Sequence, residues 1–119
     1  MPCSLTNRAG PYLEVRISGV MTVADMRQMQ DLAAAVIAGG DQPSGLALLD
    51  GFQGWSADDG WNDISFLAKH GDEIARLAFV GEEKWRDHVF LFTAKGLRAT
   101  SIEYFPLSQL EQARAWARG

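Results

Sequence analysis

Hydrophobic and polar residues alternate along the first long segment of the chain, YLEVRISGV at residues 12–20. Leu13, Val15 and Ile17 fall on one side of an extended chain, and polar residues fall on the other. A period of two with β-branched residues predicts a strand. Residues 3–7 predict a short partner strand, because Ala9-Gly10-Pro11 is typical of a turn between them.

The pattern then changes to helical spacing. Thr22 predicts an N-cap with Asp25 at the third helical position, the arrangement of a capping box. The apolar residues at this spacing are Val23, Met26, Met29, Ala33, Val36 and Ile37. Gly39-Gly40 predicts the end of the helix. We interpret the apolar stripe as the face that packs into the core.

Short continuous apolar runs follow. GLALL at 45–49 and IARLAFV at 74–80 are typical of strands buried on both faces, and TSIEYF at 100–105 predicts a last strand. Helices are predicted at 59–70, at 82–95 and from Pro106 onward. The order predicts an α/β fold: a mostly parallel sheet of four or five strands with an antiparallel edge strand, covered by about four helices. We expect one domain over residues 1–119.

Composition narrows the classes of partner. The chain has 119 residues, a net charge of −4 and a pI near 5.0, which argues against a nucleic-acid partner. No basic-then-apolar leader and no apolar run of about 18 residues is present, so we expect a cytoplasmic protein. Its single cysteine, Cys3, excludes an internal disulfide, and we predict no catalytic role for it.

The acidic segment LDGFQGWSADDGWND at 49–63 is the main candidate for chemistry. It does not match a calcium-binding EF-hand loop. If Gly60 is the glycine at loop position six, Trp55 and Ala57 occupy the ligand positions one and three, and neither side chain can bind calcium. His70 and His88 lack the spacing of metal ligands, and nucleophile and phosphate-loop motifs are missing. We predict no metal, cofactor or catalytic residue. The enzymatic alternative pairs Asp50 with another carboxylate of the segment, namely Asp58, Asp59 or Asp63.

Several motifs in order carry a family resemblance: SGVMTVADM, LLDGFQGW, WNDISFLAKH, IARLAFVGEEKW and IEYFPLSQLEQARAWA. With them the chain resembles the SpoIIAA-like family, single-domain bacterial relatives of the STAS domains. The resemblance implies a STAS-like or CRAL-TRIO-like fold without an established reaction, with an apolar cavity under a movable segment. STAS relatives carry a phosphorylated serine where Asp58 and Asp59 match here, so a serine switch is not expected.

The resemblance and the aromatic density at the strand ends together predict a binding module. Residues 51–66 would form a lid with hinges at Gly51, Gly54 and Gly60, over a pocket for a lipid or small apolar ligand. The predicted ligand-binding residues are Asp50, Phe52, Trp55, Trp61, Ile64, Phe66, Leu77, Phe79, Trp85 and Phe90.

A second surface combines cations with aromatic residues, which favours contact with a membrane interface. The predicted membrane-contact residues are Lys84, Trp85, Arg86, Phe90, Phe92 and Lys95. Phe90, Leu91 and Phe92 cannot all face one core direction of a helix, so at least one should face a neighbouring element, a partner or a cavity. The alternative function is a STAS-type protein-interaction module, with a homodimer as one form of it.

Overall fold

Five strands form one sheet in the order β1-β2-β3-β4-β5. The structure, a computed structural model, describes residues 3–57, 60–61, 65–70, 72–93, 95 and 99–119. The strands are β1 Cys3–Ala9, β2 Tyr12–Met21, β3 Ser44–Trp55, β4 Arg76–Val80 and β5 Ser101–Phe105. β1 pairs antiparallel with β2, and the other neighbours pair in parallel. The predicted α/β class and its antiparallel edge strand are confirmed.

Four α-helices lie within the described residues. They are α1 Val23–Ala38, α2 Ser65–His70, α3 Arg86–Phe92 and α4 Leu110–Arg118, with 3₁₀ turns at Glu83–Trp85 and Leu107–Gln109. None of these helices is long and apolar enough to cross a membrane. The predicted cap of α1 is confirmed, because Thr22 and Asp25 form a capping box. The predicted stop at Gly39 is also confirmed.

The two faces of the sheet carry separate hydrophobic clusters, because side chains alternate along each strand. Val15 and Ile17 of β2 face the side covered by α1 and α3. Tyr12 of β2 and Leu46 of β3 face the side covered by α4. On that second side, Ala113 is fully buried, which allows α4 to approach the sheet closely.

Two sequence predictions need correction. β3 does not end near Leu49 but continues to Trp55, so residues 51–55 of the predicted lid are strand. Gly51 and Gly54, the predicted hinges, lie within this strand. They have φ of +66° and +104°, conformations that let this irregular strand stay paired with β2. Of the helix predicted at 59–70, the described residues form a helix over Ser65–His70, whereas Gly60 and Trp61 lie in a turn.

Candidate functional site

An apolar cavity of about 240 Å³ lies between α1 and the sheet. Leu13, Val15 and Ile17 line it from β2, because these positions share the face of the strand that α1 covers. Met29 and Ala33 line it from α1. The described lining residues include three polar side chains and no charged one. The cavity can therefore accept an apolar molecule without leaving a buried charge unpaired.

The structure brings most of the predicted ligand-binding residues to this cavity. The predicted residues that line it are Phe52, Trp55, Trp61, Phe66, Leu77 and Phe79. They come from four separate segments of the chain. Ile64 lies outside the described residues.

Three predicted ligand-binding residues do not line the cavity. Asp50 is exposed within β3 and forms an ion pair with Arg16. Phe90 packs edge-on against Tyr104, with ring centroids 6.3 Å apart. Trp85 lies behind the lining residue Phe52, at 5.0 Å between centroids. The periodicity of the sequence could not separate these residues from the lining ones, because it does not show which side chains of neighbouring elements border the cavity between α1 and the sheet.

One side of the cavity, which we call the aromatic wall, is formed by Phe52, Trp55, Trp61 and Phe92. Trp55 is its centre, at 5.1 Å from Phe52 and 5.5 Å from Phe92 between ring centroids. Trp61 contacts Phe92 edge-on at 5.6 Å. Such edge-on and tilted contacts add to the free energy of burial and hold the rings in fixed orientations.

The indole N–H groups near the wall differ in their hydrogen bonding. Trp61 Nε1 donates to the Ser56 backbone oxygen at 2.9 Å. Trp55 Nε1 and Trp85 Nε1 are buried and have no hydrogen-bond partner within the described part of the chain. A buried donor without an acceptor is costly, so most such groups in proteins are paired.

Sequence reasoning missed the α1 side of the cavity. Met26, Met29 and Ala33 carried a clear helical stripe, which we interpreted as core packing. Met29 and Ala33 are only partly buried, although they face the sheet. A stripe with two methionines and a small alanine was the available signal, since methionine is common at adaptable apolar surfaces.

The predicted membrane-contact residues divide between the core and solvent. Phe92 lines the cavity and Phe90 packs on Tyr104, and both are partly buried. Leu91, between them, has 84% of its surface exposed. Phe92 confirms the prediction that at least one of the three bulky residues faces a neighbouring element, a partner or a cavity.

Acidic side chains accompany the cations of this surface. Lys84 lies 3.8 Å from Glu82, Arg86 lies 3.7 Å from Asp87, and Lys95 lies 3.4 Å from Glu103. Lys95 also donates to the Ile102 backbone oxygen. These partners reduce the net positive field that would attract anionic lipids.

The described side chains offer little for catalysis. No group of three metal-ligating residues occurs among them. Cys3 is buried, and burial followed by the charge of Asp25 raises the pKa of its thiol to about 11. Its reactive thiolate is therefore scarce near neutral pH. Asp58, Asp59 and Asp63, the proposed partners of Asp50, lie outside the described residues.

Comparisons with known proteins agree with the fold. A family model described as SpoIIAA-like matches residues 12–118. A search of the curated proteins finds no match. Among solved structures, the chain is similar to an uncharacterised protein of the DUF3478 family with a SpoIIAA-like fold from Shewanella loihica PV-4. The TM-score is 0.71 at 22% identity, covering 97% of this chain and 93% of that one. At this identity the likeness concerns the fold alone.

Proposed function

The chain belongs to the SpoIIAA-like family, and on that premise we propose that it is a non-catalytic module that binds a small apolar ligand between α1 and the sheet. The fold is of the STAS type, which generally serves as a binding or interaction module. The observation that carries the proposal is the apolar cavity itself.

The size of the cavity supports an occupant. At ~30 Å³ for each water-sized group, the volume admits a chain of about eight methylene groups. A ligand that fills it would bury apolar surface, which is favourable by about 25 cal/mol per Å².

The test uses butylbenzene, an apolar probe without a hydrogen-bonding group. Ala33→Phe should fill the cavity from α1, whereas Ala35→Phe places the same ring on an exposed position of the same helix. Calorimetry should detect binding to the wild type and to Ala35→Phe, and no binding to Ala33→Phe. At a hundredfold excess over Kd, the probe should stabilise the first two by about 2.7 kcal/mol. Equal binding to all three proteins, or to none, would contradict the proposal.

A STAS-type protein-interaction surface is the second candidate, with a homodimer as one form of it. Reversible membrane contact, predicted together with ligand binding, would use the same surface. Leu91 is the candidate contact, because it has the largest exposed fraction of any large apolar side chain in the described part of the chain. If α3 is the contact, Leu91→Asp should abolish dimer formation in sedimentation velocity or co-sedimentation with phosphatidylcholine vesicles. Leu107→Asp is the matched control, since Leu107 is also exposed but precedes α4. A monomer that ignores vesicles would remove this candidate.

A further inference from the structure

We propose that the cavity holds one unbranched alkyl chain, which lies along β3 over Gly45 and Ala47. This inference rests on the proposed function and narrows its ligand to a single chain, as opposed to a branched or fused-ring apolar molecule. Gly45 and Ala47 are then the residues that determine this specificity. The inference follows from the register of β2, β3 and β4, which places these two small residues between larger ones.

Gly45 and Ala47 form a floor of the cavity. They are two positions apart on β3, so they face the same side of the sheet, and both line the cavity. In register, each of them lies between a larger apolar residue of β2 and a larger apolar residue of β4. These four flanking residues, which also line the cavity, are Leu13 and Val15 of β2 and Leu77 and Phe79 of β4. We call the floor and its two flanking walls the trough.

The spacing of the strands sets the width of the trough. Neighbouring strands lie about 4.8 Å apart, so the walls on β2 and β4 begin about 10 Å apart. A methylene chain needs about 4 Å between its carbon atoms and those of each wall, or about 8 Å in all. A branch or a fused ring places further carbon atoms beside the chain and exceeds the width that remains. The trough therefore admits one unbranched chain.

The backbone does not require glycine at position 45. Gly45 is not among the described glycines with positive φ, so a side chain could adopt its conformation. A Cβ there would lie 3.4 Å from the Leu13 backbone oxygen and 3.5 Å from Leu77 Cδ2, which are ordinary contact distances. Glycine inside a strand weakens the strand and often marks a place where a ligand approaches the backbone closely. The small residue thus supports a ligand position directly above β3.

α1 covers the trough from the other side. Met29 and Ala33 line the cavity from this helix, so the chain would lie between them and the floor. The described lining residues include no charged side chain, so the trough suits the apolar part of a ligand. A fatty alcohol and a single acyl chain share this chemistry, and the polar end of either would stay outside the trough.

Two isomeric alcohols test the width of the trough. 1-Octanol and 2,4,4-trimethylpentan-1-ol contain the same atoms, but only 1-octanol is an unbranched chain. Calorimetry on the wild type should give a Kd for the branched isomer at least about tenfold above that for 1-octanol. Equal affinity for the two isomers, or tighter binding of the branched one, would overturn the inference.

Ala47→Val tests the position of the chain. Valine adds two methyl groups to the floor and is a residue type that strands favour. The Kd of 1-octanol should rise at least about tenfold, because the added groups occupy the place of the chain. Gln53→Val is the matched control, since Gln53 is an exposed residue of β3 that does not line the cavity, and it should leave this Kd unchanged. The same Kd in both variants would count against the trough.

A second measurement uses the wild type alone. In its complex with 1-octanol, intermolecular nuclear Overhauser effects should connect protons of the chain with the methyl groups of both Leu13 and Leu77. These residues stand on opposite walls of the trough, on β2 and β4. Contacts with the aromatic wall but not with both of these leucines would place the chain elsewhere and overturn the inference.

The outcomes separate the two proposals. If butylbenzene binds and Ala33→Phe abolishes its binding, the proposed function stands. In that case, absence of 1-octanol binding or of a preference over its branched isomer would overturn the present inference alone. If neither butylbenzene nor 1-octanol binds the wild type, the proposed function fails and the inference fails with it.

Discussion

Glu14 is a buried charge that the alternating pattern of β2 did not reveal. It is 5% exposed and accepts two hydrogen bonds from Arg114 of α4, each of 3.0 Å. The Tyr12 hydroxyl donates a third, at 2.8 Å. Burial alone would raise the pKa of this carboxyl, but the hydrogen bonds from Arg114 and Tyr12 outweigh burial and lower the pKa.

Glu14→Gln should destabilise the protein by about 3 kcal/mol, because it leaves the half-buried Arg114 facing a neutral group. Glu111→Gln is the matched control, since Glu111 pairs with the same Arg114 but has 82% of its side chain exposed. It should cost less than about 1 kcal/mol. Urea denaturation at pH 7 measures both free energies of unfolding, and similar losses in the two variants would contradict the expectation.

The contribution of Glu14 should depend on pH. Because its folded pKa is below the ordinary glutamate value of 4.5, the stabilisation is complete above that value and is lost as the pH falls through the folded pKa. The difference between wild type and Glu14→Gln should therefore shrink in acid. A difference that grew as the pH fell would show the opposite sign of linkage.

Residues close in sequence were predictable, and distant pairs were not. Thr22 and Asp25 form their capping box within one turn, so their types and spacing were sufficient. Glu14 and Arg114 are 100 residues apart. Polar residues on alternate positions of a strand suggest a solvated face, but α4 covers that face at Glu14 and leaves Arg16 exposed.

β3 shows how glycine can mislead at the scale of an element. Gly51 and Gly54 suggested the end of a strand and the hinges of a lid, because glycine is typical of turns. The strand instead continues through them to Trp55, with irregular register against β2. Whether β3 continues past Gly51 depends on its pairing with the neighbouring β2, and the local sequence pattern does not show that pairing.

Gly54→Ala tests the corrected role of this glycine. Its φ of +104° is unfavourable for any side chain, and an added Cβ would lie 3.4 Å from the Trp85 ring. We expect a loss of about 1–3 kcal/mol in the free energy of unfolding. Gly51→Asn is the control, because φ of +66° lies in a region that asparagine tolerates, so the loss should be smaller. An unchanged melting temperature in Gly54→Ala would favour a loose segment over a strand.

For the whole molecule, the order of strands and helices was sufficient to predict the fold class. Connections between parallel strands follow few topologies, so alternating elements constrain the sheet strongly. The cavity was harder to predict. It results from where α1 lies over the sheet and how far its side chains reach, and those quantities depend on packing throughout that layer. Phe52, Trp55 and Trp61 of the wall were predicted as ligand-binding residues, whereas Phe92 and the contributions of β2 and α1 were not.

The two sides of the sheet differ in packing, and this difference should affect the rates of hydrogen exchange and of ligand release. α4 packs closely through Ala113 and Ala117, whereas Met29 and Ala33 of α1 border the cavity instead of packing fully against the sheet. Amide hydrogens of α1 should therefore exchange with solvent through smaller opening motions than those of α4. If a ligand leaves by the same motion, its residence time is governed by how often α1 lifts from the sheet. A tightly closing α1 would then retain even a weakly attracted molecule for a long time.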